Sequence, residues 1–287
     1  MAPLRPTILS LRTSCFYFGL AIFLLTVFPS ARAQNTWAGR WLARISQTQN
    51  EQPHWITPMV LVTPRLEQEL RADFVRQLVA GGNTVWVYDN GKGLELIPAR
   101  NIELLFNLPS FLQYSAPKTQ DGLGDVSFLM KYRILSANEK QGNYILTAFM
   151  GGSVPTTGTY KNGANSAQVL PSIAGGKGWG GFDLESTLGG TLPVDSANVV
   201  GRSILWNTVA QFHVGRYLWP EVESNATYFF GGPNDGKTQN FLAPGLMLGR
   251  FPLHNRVGLT FGVGMQIATS RAPLYNHALI FTGRIPF

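Results

Sequence analysis

The chain has 287 residues, 23 Lys+Arg against 16 Asp+Glu for a formal charge of +7, 45% hydrophobic residues and one cysteine, Cys15. That mild positive balance, with no Lys/Arg run and no RNA-binding motif, argues against a nucleic-acid partner, and a lone cysteine excludes a disulfide framework or a thiolate cluster. After residue 33 no stretch approaches ~18 consecutive apolar residues, so a bundle of membrane helices is excluded as well.

In chain order, Arg5 and Arg12 form a basic n-region, Cys15 to Phe28 is an apolar stretch, and Ala31-Arg32-Ala33 is an A-x-A cleavage signal. Residues 1–33 therefore read as a secretory signal peptide cleaved near Ala33, with the mature chain starting at Gln34. Its loss removes Cys15 and three arginines, and the formal charge falls from +7 to +4. Residues 34–63 lack periodicity: Trp37, Trp41, His54 and Trp55 are scattered among polar residues and prolines. This stretch is assigned to a periplasmic N-terminal extension, with a segment tucked into a barrel mouth as the open alternative.

From 64 to 287 the dominant signal has period two. Val126, Phe128, Met130, Tyr132 and Ile134 alternate with Ser127, Leu129, Lys131 and Arg133. Ile204 to Phe212 sets Ile204, Trp206, Thr208, Ala210 and Phe212 against Leu205, Asn207, Val209 and Gln211, and Val257 to Ile267 repeats the pattern. Side chains on a strand alternate faces, so each segment has one apolar wall and one largely polar wall. A water-soluble sandwich shows the same alternation in shorter strands, about 5–6 residues, whereas membrane-barrel strands need ~9–11. The expectation is an all-β chain: a transmembrane antiparallel up-and-down β-barrel of about 12 strands. The strands are expected near 65–78, 83–97, 101–109, 125–136, 143–153, 166–174, 179–190, 202–214, 218–230, 240–249, 256–267 and 275–287. Connections alternate between short turns and longer loops at 110–124, 154–165, 191–201, 231–239 and 268–274, as in outer-membrane barrels. An even count leaves both termini on the periplasmic side.

The last strand closes the case for that class. Leu279, Phe281, Gly283, Ile285 and Phe287 share one face, and the chain ends on an aromatic residue. Phe287 is the expected signal for the barrel assembly machinery, a partner alongside outer-membrane lipid.

Residues 121–133, D-G-L-G-D-V-S-F-L-M-K-Y-R, and 91–109, G-K-G-L-E-L-I-P-A-R-N-I-E-L-L-F-N-L-P, resemble the outer-membrane transporter family linked to the MetA pathway of phenol degradation. The likeness is best over residues 85–153. It implies an outer-membrane barrel and a transport role, with aromatic or other hydrophobic compounds as the implied cargo.

Taking the apolar wall as lipid-facing turns a charged set inward. Strand one contributes Glu67, Glu69, Arg71 and Asp73; Glu103 and Asn107 follow, then Lys131 and Arg133, Asp183 and Glu185, Asn207, Gln211 and His213, Glu221 and Glu223, and finally Arg284. Charges in a narrow lumen must pair or stay wet. They form either a stiffening lattice or an eyelet that selects solutes. Acids outnumber bases, so a conducting pore should prefer cations. Parity also sets Arg284 beside Glu67, Glu69 and Asp73, an expected ion-pair seam where the barrel closes.

Other sites are weaker. The glycine-rich Gly175–Gly181 has no helix after it and reads as a hairpin turn rather than a phosphate cradle. His54, His213, His254 and His277 lack metal-ligand spacing, and no cofactor or metal is expected. Ser203 and His213 are ten residues apart on one strand, about 34 Å, too far for a nucleophile–base pair. The reading is a monomeric passive channel for small molecules rather than an enzyme. A closed structural or partner-binding barrel is the alternative, and a lipid-modifying enzyme the remote one.

Overall fold

The computed structural model describes residues 36–89, 93–156 and 162–287. The expected signal peptide, its cleavage near Ala33 and part of the 154–165 loop lie outside the described residues. The chain divides into two compact units, 1–43 and 44–287. Helix α1 (Trp37–Asn50) begins in the first, where the Trp37 and Trp41 rings sit 5.4 Å apart.

The second unit is a closed antiparallel barrel of twelve strands. Three of the twelve are interrupted. β1 (Glu69–Leu78) is followed by β2 (Thr84–Tyr88) and β3 (Leu94–Ala99), two halves of one strand, both paired to β1. The pairing sum shifts by two residues between the halves. β4 (Ile102–Asn107) continues as β5 (Phe111–Tyr114) after a gap holding Pro109, whose missing N–H cannot serve a ladder. β6 (Gly122–Leu123) likewise leads into β7 (Val126–Ala137).

The remaining strands are uninterrupted: β8 (Tyr144–Val154), β9 (Gln168–Trp179), β10 (Phe182–Pro193), β11 (Arg202–Phe212), β12 (Leu218–Phe230), β13 (Thr238–His254), β14 (Val257–Ala268) and β15 (His277–Pro286). Each pairs with its sequence neighbour, and β15 returns to β1 over ten residue pairs, from Glu69↔Pro286 to Leu78↔His277. Short turns crowd one end. Longer connections occupy the other, including a one-turn helix α2 (Ala197–Val200).

Parity explains the two surfaces. On β7, Phe128 is 49% exposed on the outside while Lys131 is 1% exposed within. Leu135 breaks the alternation because the register slips between Arg133 and Leu135, which leaves Ile134 and Leu135 both outside. Trp206, Phe212, Val222, Phe261, Val263 and Phe281 continue the outer apolar surface around the barrel.

Several local expectations change. The segment Gly175–Trp179 is strand, and the hairpin turn is only Gly180–Gly181, because Gly175, Gly176 and Gly178 pair with Ser186, Glu185 and Asp183. β13 runs to His254, so its turn shrinks to Asn255–Arg256. Phe287 does not share the exposure of Phe281: its side chain is buried, and its N–H donates to the Gln68 carbonyl at 3.0 Å. The largest correction concerns residues 34–63. Gln52 to Leu61 with Thr63 are mostly buried within the barrel instead of extending from it, with Met59 bonded to Glu221 of β12 and Thr57 to Arg284 of β15.

Candidate functional site

The lumen is filled by a hairpin-like inner segment, residues 52–68. Its two arms are tied by the Gln52 carboxamide, which donates to the Leu66 carbonyl at 2.8 Å and accepts from the Leu66 N–H at 3.0 Å. An extended segment has unpaired N–H and C=O groups that must be satisfied once buried. Here charged wall residues satisfy them.

On one side, Glu221 accepts the Met59 N–H at 2.9 Å, and Glu223 accepts the N–H groups of Val60 and Leu61, each at 2.6 Å. On the other, Arg284 donates to the carbonyls of Thr57 and Pro58, each at 2.5 Å, and Arg71 donates to the Met59 carbonyl. Such charge-assisted bonds are roughly twice as strong as neutral ones. Further round the wall, the Thr147 hydroxyl donates to the Pro64 carbonyl at 2.6 Å, and Lys131 to that of Arg65 at 3.2 Å. Met59 sits in a notch made by glycines: a Cβ on Gly245 would stand 3.0 Å from its Cε, and one on Gly264 would collide with it.

Ion pairs stiffen the same shell. Arg71 holds Asp73 through two bonds of 2.8 Å. Lys131 pairs with Glu103 at 2.9 Å and Glu95 at 3.7 Å, and Arg65 pairs with Glu67 at 2.9 Å. The expected ion-pair seam takes a different form. The register sets Arg284 opposite Arg71, so their guanidiniums turn toward the carbonyls of the inner segment.

At the short-turn end the inner segment is anchored by Glu51, which pairs with Arg100 at 2.6 Å and Arg133 at 3.1 Å. Burial raises the Glu51 carboxyl, but the bonds and charge of Arg100, with Gln47 and Arg133, outweigh it and hold it below the ordinary carboxylate value. His54 pairs with Glu139 at 2.8 Å nearby. A cleft of about 380 Å³ lies beside them, lined by Gln49, Arg250, Arg256, Val257 and Phe287 among others.

Two strands, β10 and β12, carry four carboxylates in two rungs on either side of β11. Asp183, Gln211 and Glu221 are register partners across β10, β11 and β12, and so are Glu185, Val209 and Glu223. Gln211 donates to Glu221 at 2.6 Å. Neither oxygen of Asp183 has a hydrogen-bond partner, and the Thr63 hydroxyl is the donor that stands near Glu185. His213 is half-buried and stacks on Trp219 with ring centroids 4.0 Å apart, which suits packing rather than catalysis. Asn107, Glu69 and Asn207 also face inward, and Asn107 accepts the Gly93 N–H at 2.7 Å.

Sequence parity did not single out Arg65, Glu95, Arg250 or Trp55. Glu95 shares its face with Ile97 while Leu94 and Leu96 point outward, so the L-E-L-I run has apolar residues on both walls. Arg65 and Trp55 lie in coil, where no period exists to read.

No family model matches the chain, and no curated protein matches it. Among solved structures, it is similar to the COG4313 outer membrane channel from Pseudomonas putida F1. The TM-score is 0.53 at 14% identity, covering 76% of this chain and 94% of that one. A NanC porin structure aligns with a TM-score of 0.49 at 8% identity, over 76% of this chain and 98% of that one.

Proposed function

We propose that this chain is an outer-membrane channel for small molecules, worked by passive diffusion through a charge-lined lumen that residues 52–68 narrow. The observation that carries the reading is the inversion of the barrel. Its outer surface is apolar over strands mostly of 11–13 residues, while its charges face inward. Such strands match the ~9–11 residues that cross a bilayer, and only a closed sheet satisfies its backbone there. The export signal over residues 1–33 and the fold-level likeness to an outer membrane channel support the same placement. The barrel and its lumen chemistry need no catalytic step.

Transport requires the inner segment to shift, because it occupies the space a solute would cross. The wall beside it offers two chemistries. Val75, Val85, Val87, Ala278 and Ile280 form an apolar sector with Met59 and Ile56, which suits aromatic or other hydrophobic solutes. The carboxylates of β10 and β12 form an acidic sector, which favours cations over anions. Planar-bilayer recording tests the reading: discrete cation-preferring conductance is expected, larger when residues 52–66 are deleted. Silence from both forms would overturn it. The filled lumen favours one second reading, a closed barrel that binds a partner at its long-loop end. Liposome swelling by small solutes separates the two, since a closed barrel admits none. Heat-modifiable migration in detergent gels tests the membrane barrel itself.

A further inference from the structure

The least satisfied part of the lumen is the β9–β11 face just inside the short-turn mouth. Asp183 is the second residue of β10, 1% exposed, and Glu185 on the same face is 0% exposed. Neither Asp183 oxygen has a hydrogen-bond partner, and Glu185 has no donor beyond the nearby Thr63 hydroxyl. Burying carboxylates uncompensated costs several kcal/mol each. The arrangement therefore calls for a cation, and the surroundings limit which kind.

Gln211 is the cross-strand partner of Asp183 and is 1% exposed. Its Nε2 is spent on Glu221, and its Oε1 has no partner. Directly opposite residues lie about 4.5–5.5 Å apart at Cβ, so this carbonyl adds a fifth acceptor to the four carboxylate oxygens. On the other flank, β9 presents only Gly178 and Gly176 opposite Asp183 and Glu185. Asn143 and Trp55, the latter 4% exposed, fill that space. The Trp55 Cζ3 lies 2.6 Å and the Glu185 Cγ 3.2 Å from where a Gly176 Cβ would stand.

An indole beside two carboxylates and an amide oxygen combines cation–π attraction with hydrogen-bond acceptors. The nearest protein cation, Arg65, is bonded to Glu67 at 2.9 Å and to the Trp55 carbonyl, while its Nε makes no hydrogen bond and its charge reaches both Asp183 and Glu185. Among the described residues no three acidic, histidine or cysteine side chains converge closely enough to hold a metal ion. A primary ammonium carries three donors, which match this set of carboxylate and amide acceptors.

The geometry points to Trp55, Asp183, Glu185 and Gln211 as a binding site for primary organic ammonium ions, entered from the short-turn mouth of the lumen. This names a solute class for the proposed channel and rests on the lumen admitting solutes, but binding is measured without flux. The experiment titrates propylammonium into the purified full-length protein in detergent, by calorimetry and by tryptophan emission. Saturable millimolar binding is expected, weakened at least about tenfold in the double variant Asp183→Asn/Glu185→Gln. Tetramethylammonium, which has the charge without N–H donors, should bind at least about tenfold more weakly. Trp55→Leu should abolish the emission change. Both variants should keep the heat-modifiable shift of the wild type, because none of the three side chains holds the barrel through its own hydrogen bonds. Absence of saturable binding below about 100 mM, equal affinity in the double variant, or equal affinity for tetramethylammonium would each overturn the assignment. A barrel that binds but does not conduct fails the channel reading alone. One that conducts but does not bind fails this site alone.

Discussion

Glu185 and Glu223 lie on the same rung, separated only by Val209, and each is 0% exposed. Glu223 accepts two backbone N–H groups of the inner segment at 2.6 Å, while Glu185 accepts none. Equal burial thus conceals opposite energetics. One carboxylate is the receptor of a buried strand, and the other is a charge waiting for a ligand. The lumen divides accordingly: β1, β12 and β15 hold the inner segment through charged side chains, whereas β9–β11 offer its backbone a neutral hydroxyl, that of Thr187, 3.5 Å from the Val62 carbonyl.

The strongest way to break this division is to remove what β1, β12 and β15 hold. Deleting residues 52–66 should turn a narrowed barrel into an open one, read as a rise in single-channel conductance. An unchanged conductance would mean the segment does not restrict the lumen. Next in size is Glu223→Gln, which removes a charged acceptor from Val60 and Leu61. About 3 kcal/mol of unfolding free energy should go with it, measured by urea titration of the gel-resolved folded form. Gly264→Ala should cost less, about 1–3 kcal/mol, because a Cβ there collides with Met59 Cε. Protease susceptibility at residues 52–66 should rise in step.

Glu185→Gln sharpens the contrast with a reversed sign. Replacing a buried carboxylate that accepts no backbone N–H by an amide should stabilise the barrel by up to about 1 kcal/mol. A loss as large as that of Glu223→Gln would erase the distinction between the two groups of strands. The smallest effect concerns the anchor at the mouth. The folded Glu51 carboxyl lies below its ordinary value of 4.5, so its contribution is present above that value and lost as pH falls through the lowered one. Exposure of the pair keeps it small. Wild type and Glu51→Gln should therefore differ near neutral pH and converge in strong acid.

Much of the barrel was legible in the sequence because a wall between two solvents must alternate. Phe128 against Lys131 and Trp206 against Val209 show strand, face and side at once, and the twelve-strand count follows from the turn signals between such runs. The bulge at Arg133–Leu135 and the extra length of β13 were not legible, since one inserted residue leaves composition unchanged. Nor was the inner segment. Residues 52–68 have no period, and their partners are far away in sequence: Met59 to Glu221, Thr57 to Arg284. Parity gave the side on which Arg284 lies, but not its register. A slip of two residues would have set it opposite Glu69 or Asp73 instead of Arg71.

The bond from Arg284 to the Thr57 carbonyl spans 227 residues of chain. The inner segment is made early and its final clamp arrives with the last strand. Residues 57–58 must therefore wait, unsatisfied, until the last strand has been delivered. Contacts of such sequence separation form late, after the loop entropy has been met. Closing the wall and seating its contents are in this way one event, timed by the C-terminus.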